Sequence, residues 1–133
     1  MSFKEDKPRS RGKILIVDDD ADFIEIEKVV LQKEGYDIAV AYNGEECIQK
    51  VDEDPPDLII LDIAMQTSYE GADVAQVLRD RQDTRHIPII VVTSQPVQSI
   101  YPEDMWYPTD VFLRKPVDRY ELIEKVNNIF KNK

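Results

Sequence analysis

The sequence predicts an α/β fold, a doubly wound sandwich in which helices cover both faces of a parallel sheet. Three observations predict it. Short apolar runs rich in Ile and Val recur along the chain without the polar alternation of a half-exposed strand, the pattern of strands buried on both faces. Segments with helical apolar spacing lie between them. The connections are long enough to hold a helix, which makes successive strands parallel and their crossovers right-handed. At 133 residues the chain fits one domain of ordinary size.

The elements follow in order. Ile14 to Val17 is the first strand, and a helix over Ala21 to Glu34 carries Phe23, Ile26 and Val30 on one side, with Gly35 just past its end. Ile38 to Ala41 is a weaker second strand. Asn43-Gly44 introduces a helix over Glu45 to Glu53 that presents Cys47, Ile48 and Val51. Leu58 to Leu61 is the third strand, and a helix over Ala72 to Arg81 presents Val74, Val77 and Leu78. Ile87 to Val92 and Val111 to Leu113 are the fourth and fifth strands. The last helix, Arg119 to Phe130, is capped by Asp118 and presents Leu122, Ile123, Val126, Ile129 and Phe130. Between the last two strands, Gln95 to Tyr107 contains Pro96 and Pro102, with Pro108 beyond. An interior proline costs a helix about 3 kcal/mol, so short turns are expected in place of a regular fourth helix. Residues 1–12 read as a flexible tail and 13–133 as the folded domain.

Composition narrows the function. With 17 Lys+Arg against 27 Asp+Glu the net charge is −10, and part of the positive charge sits in the first twelve residues. A domain this acidic, without a stripe of Lys or Arg, is repelled by a phosphate backbone, so direct nucleic-acid binding is disfavoured and cations or basic partners are favoured. The longest apolar stretch, Ile87 to Val92, is too short to cross a bilayer. A single cysteine, Cys47, excludes an internal disulfide, and with His86 as the one histidine there is no Cys/His zinc site. Without an apolar signal core at its start, the chain is expected in the cytoplasm.

The residues that end the strands carry the chemistry. The first strand ends in Asp18-Asp19-Asp20, the third in Asp62, the fourth in Thr93-Ser94, and the fifth runs through Arg114 into Lys115-Pro116. In a parallel sheet these carboxyl ends share one edge, where open α/β sheets bind their ligands. Carboxylates crowded there repel one another, and a hard divalent cation with oxygen ligands, Mg²⁺ above all, holds them ionised. Lys115 and Thr93 are then left to contact an anion on that metal, so the inferred contents are Mg²⁺ and a phosphoryl group.

Lys13 to Asp20, Pro56 to Asp62, Pro88 to Ser94 and Phe112 to Pro116, in that order and at that spacing, resemble the receiver domain of two-component response regulators over residues 13 to about 131. The resemblance implies a flavodoxin-like sheet of order 2-1-3-4-5 with Asp62 as the phospho-acceptor. It further implies Mg²⁺ on Asp19 and Asp62 directly, on Asp18 through water, and on the backbone carbonyl of Ala64. Lys115 would bind a phosphoryl oxygen, Thr93 would hydrogen-bond the phosphoryl group, Phe112 would be the aromatic switch, and Lys115-Pro116 would be a cis peptide. The implied donor is a sensor histidine kinase or a histidine phosphotransfer protein, and the implied output a downstream protein. On this reading the chain is a stand-alone receiver, since the last helix leaves no output domain in it. It is no enzyme beyond catalysing its own phosphorylation and dephosphorylation.

The sequence departs from that family in places. Met65 is followed by Gln66 where proline is usual, Gly71 lies one residue late after Asp62, and Pro108-Thr109-Asp110 stands where Gly-Ala-Asp is common. The altered loop and the prolines motivate a rival reading, a degenerate receiver that docks proteins without phosphorylation. A Mg²⁺-dependent phosphatase with an aspartyl-phosphate intermediate needs a second acid two residues past the nucleophile, and position 64 is Ala. A nucleotide-binding α/β protein needs a Gly-rich loop where this chain has Asp18 to Asp20. Taken singly, Asp57 reads as ordering the start of a strand, Cys47 as a small core residue and His86 as a loop residue. Tyr101, Met105, Trp106 and Tyr107 either cover apolar surface or form a docking patch.

Overall fold

The computed structural model describes residues 10–62, 70–94 and 111–131, the side chains of residues 70–73 excepted. Its elements are β1 (Lys13–Val17), α1 (Ala21–Lys33), β2 (Asp37–Ala41), α2 (Gly44–Glu53), β3 (Leu58–Asp62), α3 (Glu70–Asp80), β4 (Ile89–Thr93), β5 (Val111–Arg114) and α4 (Arg119–Lys131). The strands pair in parallel in the order β2-β1-β3-β4-β5, the flavodoxin-like arrangement. Residues 1–9, 63–69, 95–110 and 132–133 lie outside the described residues, and the expectations placed on them lie there too.

Side-chain alternation along the strands builds two cores. Leu15, Val17, Ile59, Leu61, Ile89 and Val91 meet Cys47 and Val51 of α2 and Val74, Ala75 and Leu78 of α3. Ile14, Ile16, Leu58, Ile60, Ile90, Val92 and Leu113 meet Ile24 and Leu31 of α1 and Leu122 and Val126 of α4. Because β1, β3 and β4 are buried on both faces, each strand is a continuous apolar run, which is why they are plain in the sequence. Cys47 is a small core residue whose burial pushes its thiol up to about 12, and His86 is exposed in the turn before β4.

Two helix faces differ from expectation. On α1 the buried stripe is Ile24, Glu27 and Leu31, while Ile26 is 63% exposed. On α3 Val74, Ala75 and Leu78 are buried, whereas Val77 is 41% exposed. In both, several registers offer apolar residues, and the strand surface beneath selects one of them. The caps follow their sequence signals. Asp20 accepts from Asp22 N–H at 3.0 Å and Phe23 N–H at 3.2 Å, Asn43 from Glu46 N–H at 2.8 Å, and Asp118 from Tyr120 N–H at 2.7 Å. Gly35 ends the α1 turn at φ +98°, a left-handed conformation that suits glycine. Asp57 accepts the Lys13 N–H at 2.9 Å and so orders the start of β1.

At the opposite end of the sheet from the acidic strand ends, the chain folds back on itself. Arg11 N–H donates to Gly35 O, and Asp37 N–H to Gly12 O, both at 2.9 Å. The Arg11 guanidinium stacks 4.8 Å over the Tyr36 ring, which packs in turn on Phe130 of α4. Gly12 lies so close to Phe130 that a Cβ there would run into the ring.

Candidate functional site

The alternation that makes the cores also aims the site. Beyond Ile14 and Ile16 the same row continues to Asp18, beyond Leu58 and Ile60 to Asp62, and beyond Leu113 to Lys115. These three side chains therefore emerge on the face covered by α1 and α4. Thr93, two residues past Val91, is on the other face. There Phe112 pairs with Val91 in register and packs half-buried against the core under α2 and α3.

The two rows meet at one edge. Asp18 and Asp62 are each only 2% exposed, and Thr93 is fully buried, while Asp19 is exposed. Carboxylate oxygens of Asp18, Asp19 and Asp62 lie within 4.8 Å of one another. The Lys115 ammonium donates to Asp62 Oδ2 at 2.8 Å and lies 3.5 Å from Asp18 Oδ2. It also sits 4.7 Å from the centre of the Phe23 ring on α1, at cation–π distance. The Lys115 N–H donates to Thr93 O at 2.9 Å, and the Lys115-Pro116 peptide is cis. The chain is thereby turned so that the lysine reaches back over the ends of β1 and β3.

Electrostatics follow from burial. Burial pushes the Asp18 carboxyl up to about 6, against the Asp20 N–H that it accepts at 2.9 Å, with the Asp62 charge raising it and Lys115 lowering it. Burial alone would lower the Lys115 ammonium, but the hydrogen bond and charge of Asp62, with the charge of Asp18, outweigh it and leave the group raised. The donor set is all oxygen, anionic and compact. With metal–oxygen bonds of about 2.0–2.1 Å, Mg²⁺ is small enough to be held by three carboxylates this close after modest rotation of the side chains, so the residues fit that ion. Ala64, whose carbonyl is the remaining expected ligand, lies outside the described residues.

The sequence reading missed two residues near the site. Phe23 was assigned to packing only, yet its ring lies beside Lys115. Glu27 was not singled out at all, and it is 4% exposed on α1 with Oε2 lacking a hydrogen-bond partner among the described residues. The signal for it was present, since residues 24, 27 and 31 form one helical stripe and a glutamate stands in the middle of it.

Comparison with known proteins agrees with this geometry. A response regulator receiver domain family pattern matches residues 14–127. A protein described as a response regulator from Chloroflexus aurantiacus superposes with a TM-score of 0.80 at 30% identity, over 94% of this chain and 99% of that one. The signal receiver domain of a signal transduction histidine kinase from Syntrophus aciditrophicus gives 0.80 at 29%, over 91% of both chains. The receiver domain of the Francisella response regulator 1452 gives 0.79 at 27%, over 91% of this chain and 98% of that one. Since the family pattern runs from β1 well into α4, taking in every strand whose end contributes to the acidic edge, this chain belongs to the response regulator receiver domain family.

Proposed function

We propose that this chain is a phospho-accepting receiver. It takes a phosphoryl group from a histidine kinase or a histidine phosphotransfer protein onto Asp62 and signals through the resulting change in its structure. The observation that carries the reading is the Lys115 ammonium set between two buried aspartates, 2.8 Å from one and 3.5 Å from the other. Two buried carboxylates need positive charge, and a flexible lysine supplies it in a form that can be redirected.

The chain's own residues account for the transfer. Asp62 Oδ attacks the phosphorus of a phosphohistidine protonated on its other ring nitrogen, the P–N bond breaks with its electrons going to the ring, and the donor leaves as neutral imidazole. Lys115 turns from the Asp62 carboxylate to an oxygen of the arriving phosphoryl group, exchanging one charge-assisted hydrogen bond for another. Thr93 offers its hydroxyl to the same group from the far face of the sheet. Phe112, half-buried beside Val91, repacks as Thr93 moves. Held by Asp18, Asp19, Asp62 and the Ala64 carbonyl, Mg²⁺ would neutralise charge on the transferred phosphoryl oxygens. On this reading the chain catalyses only its own phosphorylation and dephosphorylation, in the cytoplasm. Consistently, no helix among the described residues is long and apolar enough to cross a membrane.

Acetyl phosphate with Mg²⁺ tests the reading without a kinase. The wild type should gain one phosphate by intact mass and Asp62→Asn none. A wild type that stays unmodified beside a reacting control receiver would leave the phosphorylation-independent docking module as the better account.

A further inference from the structure

A buried carboxylate oxygen with no hydrogen bond among the described residues calls for a reason, because leaving a buried polar atom unsatisfied is costly. Glu27 is 4% exposed, and its Oε2 has no hydrogen bond among the described residues. Side chains on a helix tilt toward its N-terminus. From position 27 that direction is toward Phe23, one turn earlier, and toward the sheet edge where Lys115 rests near the Phe23 ring. The charges that act on Glu27 are those of Asp18 from the end of β1, Asp62 from the end of β3 and Lys115 from beyond β5. Of the other elements packed on α1, β2 brings Ile38 and Val40 and α4 brings Leu122 and Val126 to that core, while Arg119 and Tyr120 of α4 line a surface groove with Glu25, Lys33 and Glu34 of α1. Tyr36, the other titratable group of this core, sits beside Arg11 and Phe130 at the far end of the sheet.

Resting on the receiver reading, we infer that Glu27 is a positioning residue for Lys115, a proton-holding carboxyl that exchanges its proton for the ammonium when a divalent cation takes Asp18 and Asp62. While Lys115 neutralises the two aspartates, Glu27 is held protonated, because burial first, and the neighbouring carboxylates after it, push it up to about 8. A cation on the aspartates cancels their repulsion and releases the ammonium from them. Glu27 then gives its proton to solvent and becomes the anion that Lys115 faces. Atoms balance as one proton lost from Glu27 to the buffer, with no bond other than O–H broken. In this way the lysine remains beside the site, ready for the phosphoryl group, without competing with the cation for the same oxygens.

Calorimetry of Mg²⁺ binding in two buffers of different ionisation enthalpy counts the protons released. At about pH 7 the wild type should release nearly one proton per Mg²⁺, falling toward none at about pH 9, where Glu27 is already ionised. In Glu27→Gln the release at about pH 7 should be largely abolished while Mg²⁺ still binds. A wild type that binds Mg²⁺ without releasing a proton overturns the inference and leaves the receiver reading standing, whatever the variant does. A proton count unchanged in Glu27→Gln does the same. A wild type that shows no Mg²⁺ binding at all overturns both.

Discussion

Lys115 is bound to opposite duties, and its removal separates them. In chelator its ammonium faces both Asp18 and Asp62, so Lys115→Ala takes that positive charge away from two buried carboxylates. Breaking a buried pair from one side costs about 3–5 kcal/mol, and the partial exposure of this lysine places the loss toward or below the lower bound. Mg²⁺ should then raise the melting temperature of the variant by more than that of the wild type, because the ion no longer displaces an ammonium, while the phosphorylated state should be weakened. Differential scanning fluorimetry with and without Mg²⁺ checks the first part and intact mass against time the second. Glu27 sets the pH dependence of the same site. Its carboxyl is raised from 4.5 to about 8, so the stability it contributes is full below the lower value and lost as pH rises through the upper one. In chelator, denaturant melts should show the wild type losing stability from about pH 5 to pH 8 and levelling off above, with Glu27→Gln flattening that fall.

At the scale of the element, burial decides which apolar residues matter. Ile24 is 1% exposed and Ile26 63%, two positions apart on α1. Ile24→Ala should cost about 2–5 kcal/mol and Ile26→Ala within about 0.5 kcal/mol, read from urea midpoints at a common slope. The same helix shows why part of the structure was legible in the sequence and part was not. Strands β1, β3 and β4 could be read because burial on both faces leaves a continuous apolar run within each, and the acidic edge because Asp18, Asp19 and Asp62 close two of those runs. The inward face of α1 could not, since Phe23, Ile24, Ile26, Val30 and Leu31 allow more than one stripe and the choice depends on the sheet below. Glu27 escaped for the same reason. A glutamate is read as a solvated face until the stripe that contains it is known.

The whole molecule is an acid carrying its chemistry on one edge. A net charge of −10 opposes the compact state through self-repulsion, and added salt screens it. The melting temperature in chelator should rise as sodium chloride is raised from about 10 mM to 150 mM, while a smaller amount of Mg²⁺ should achieve more by binding at the site. A salt response equal for the two cations at matched ionic strength would mean that the ion acts through the atmosphere alone. The sheet order carries the rest of the architecture. Putting β1 and β3 side by side brings Asp18 next to Asp62, and the β4–β5 pair brings Thr93 and Lys115 up to them. At the other pole, Gly12 at the start of β1 rests on Phe130 in the last turn of α4. With a strand rise of about 3.3 Å per residue, that junction stands roughly 20 Å from the aspartates. Gly12 and Phe130 can therefore be joined by a short linker and new ends opened in the exposed turn at Gln82-Asp83, as a circular permutant of the folded part. The route by which the chain visits its elements is separable from the site they build.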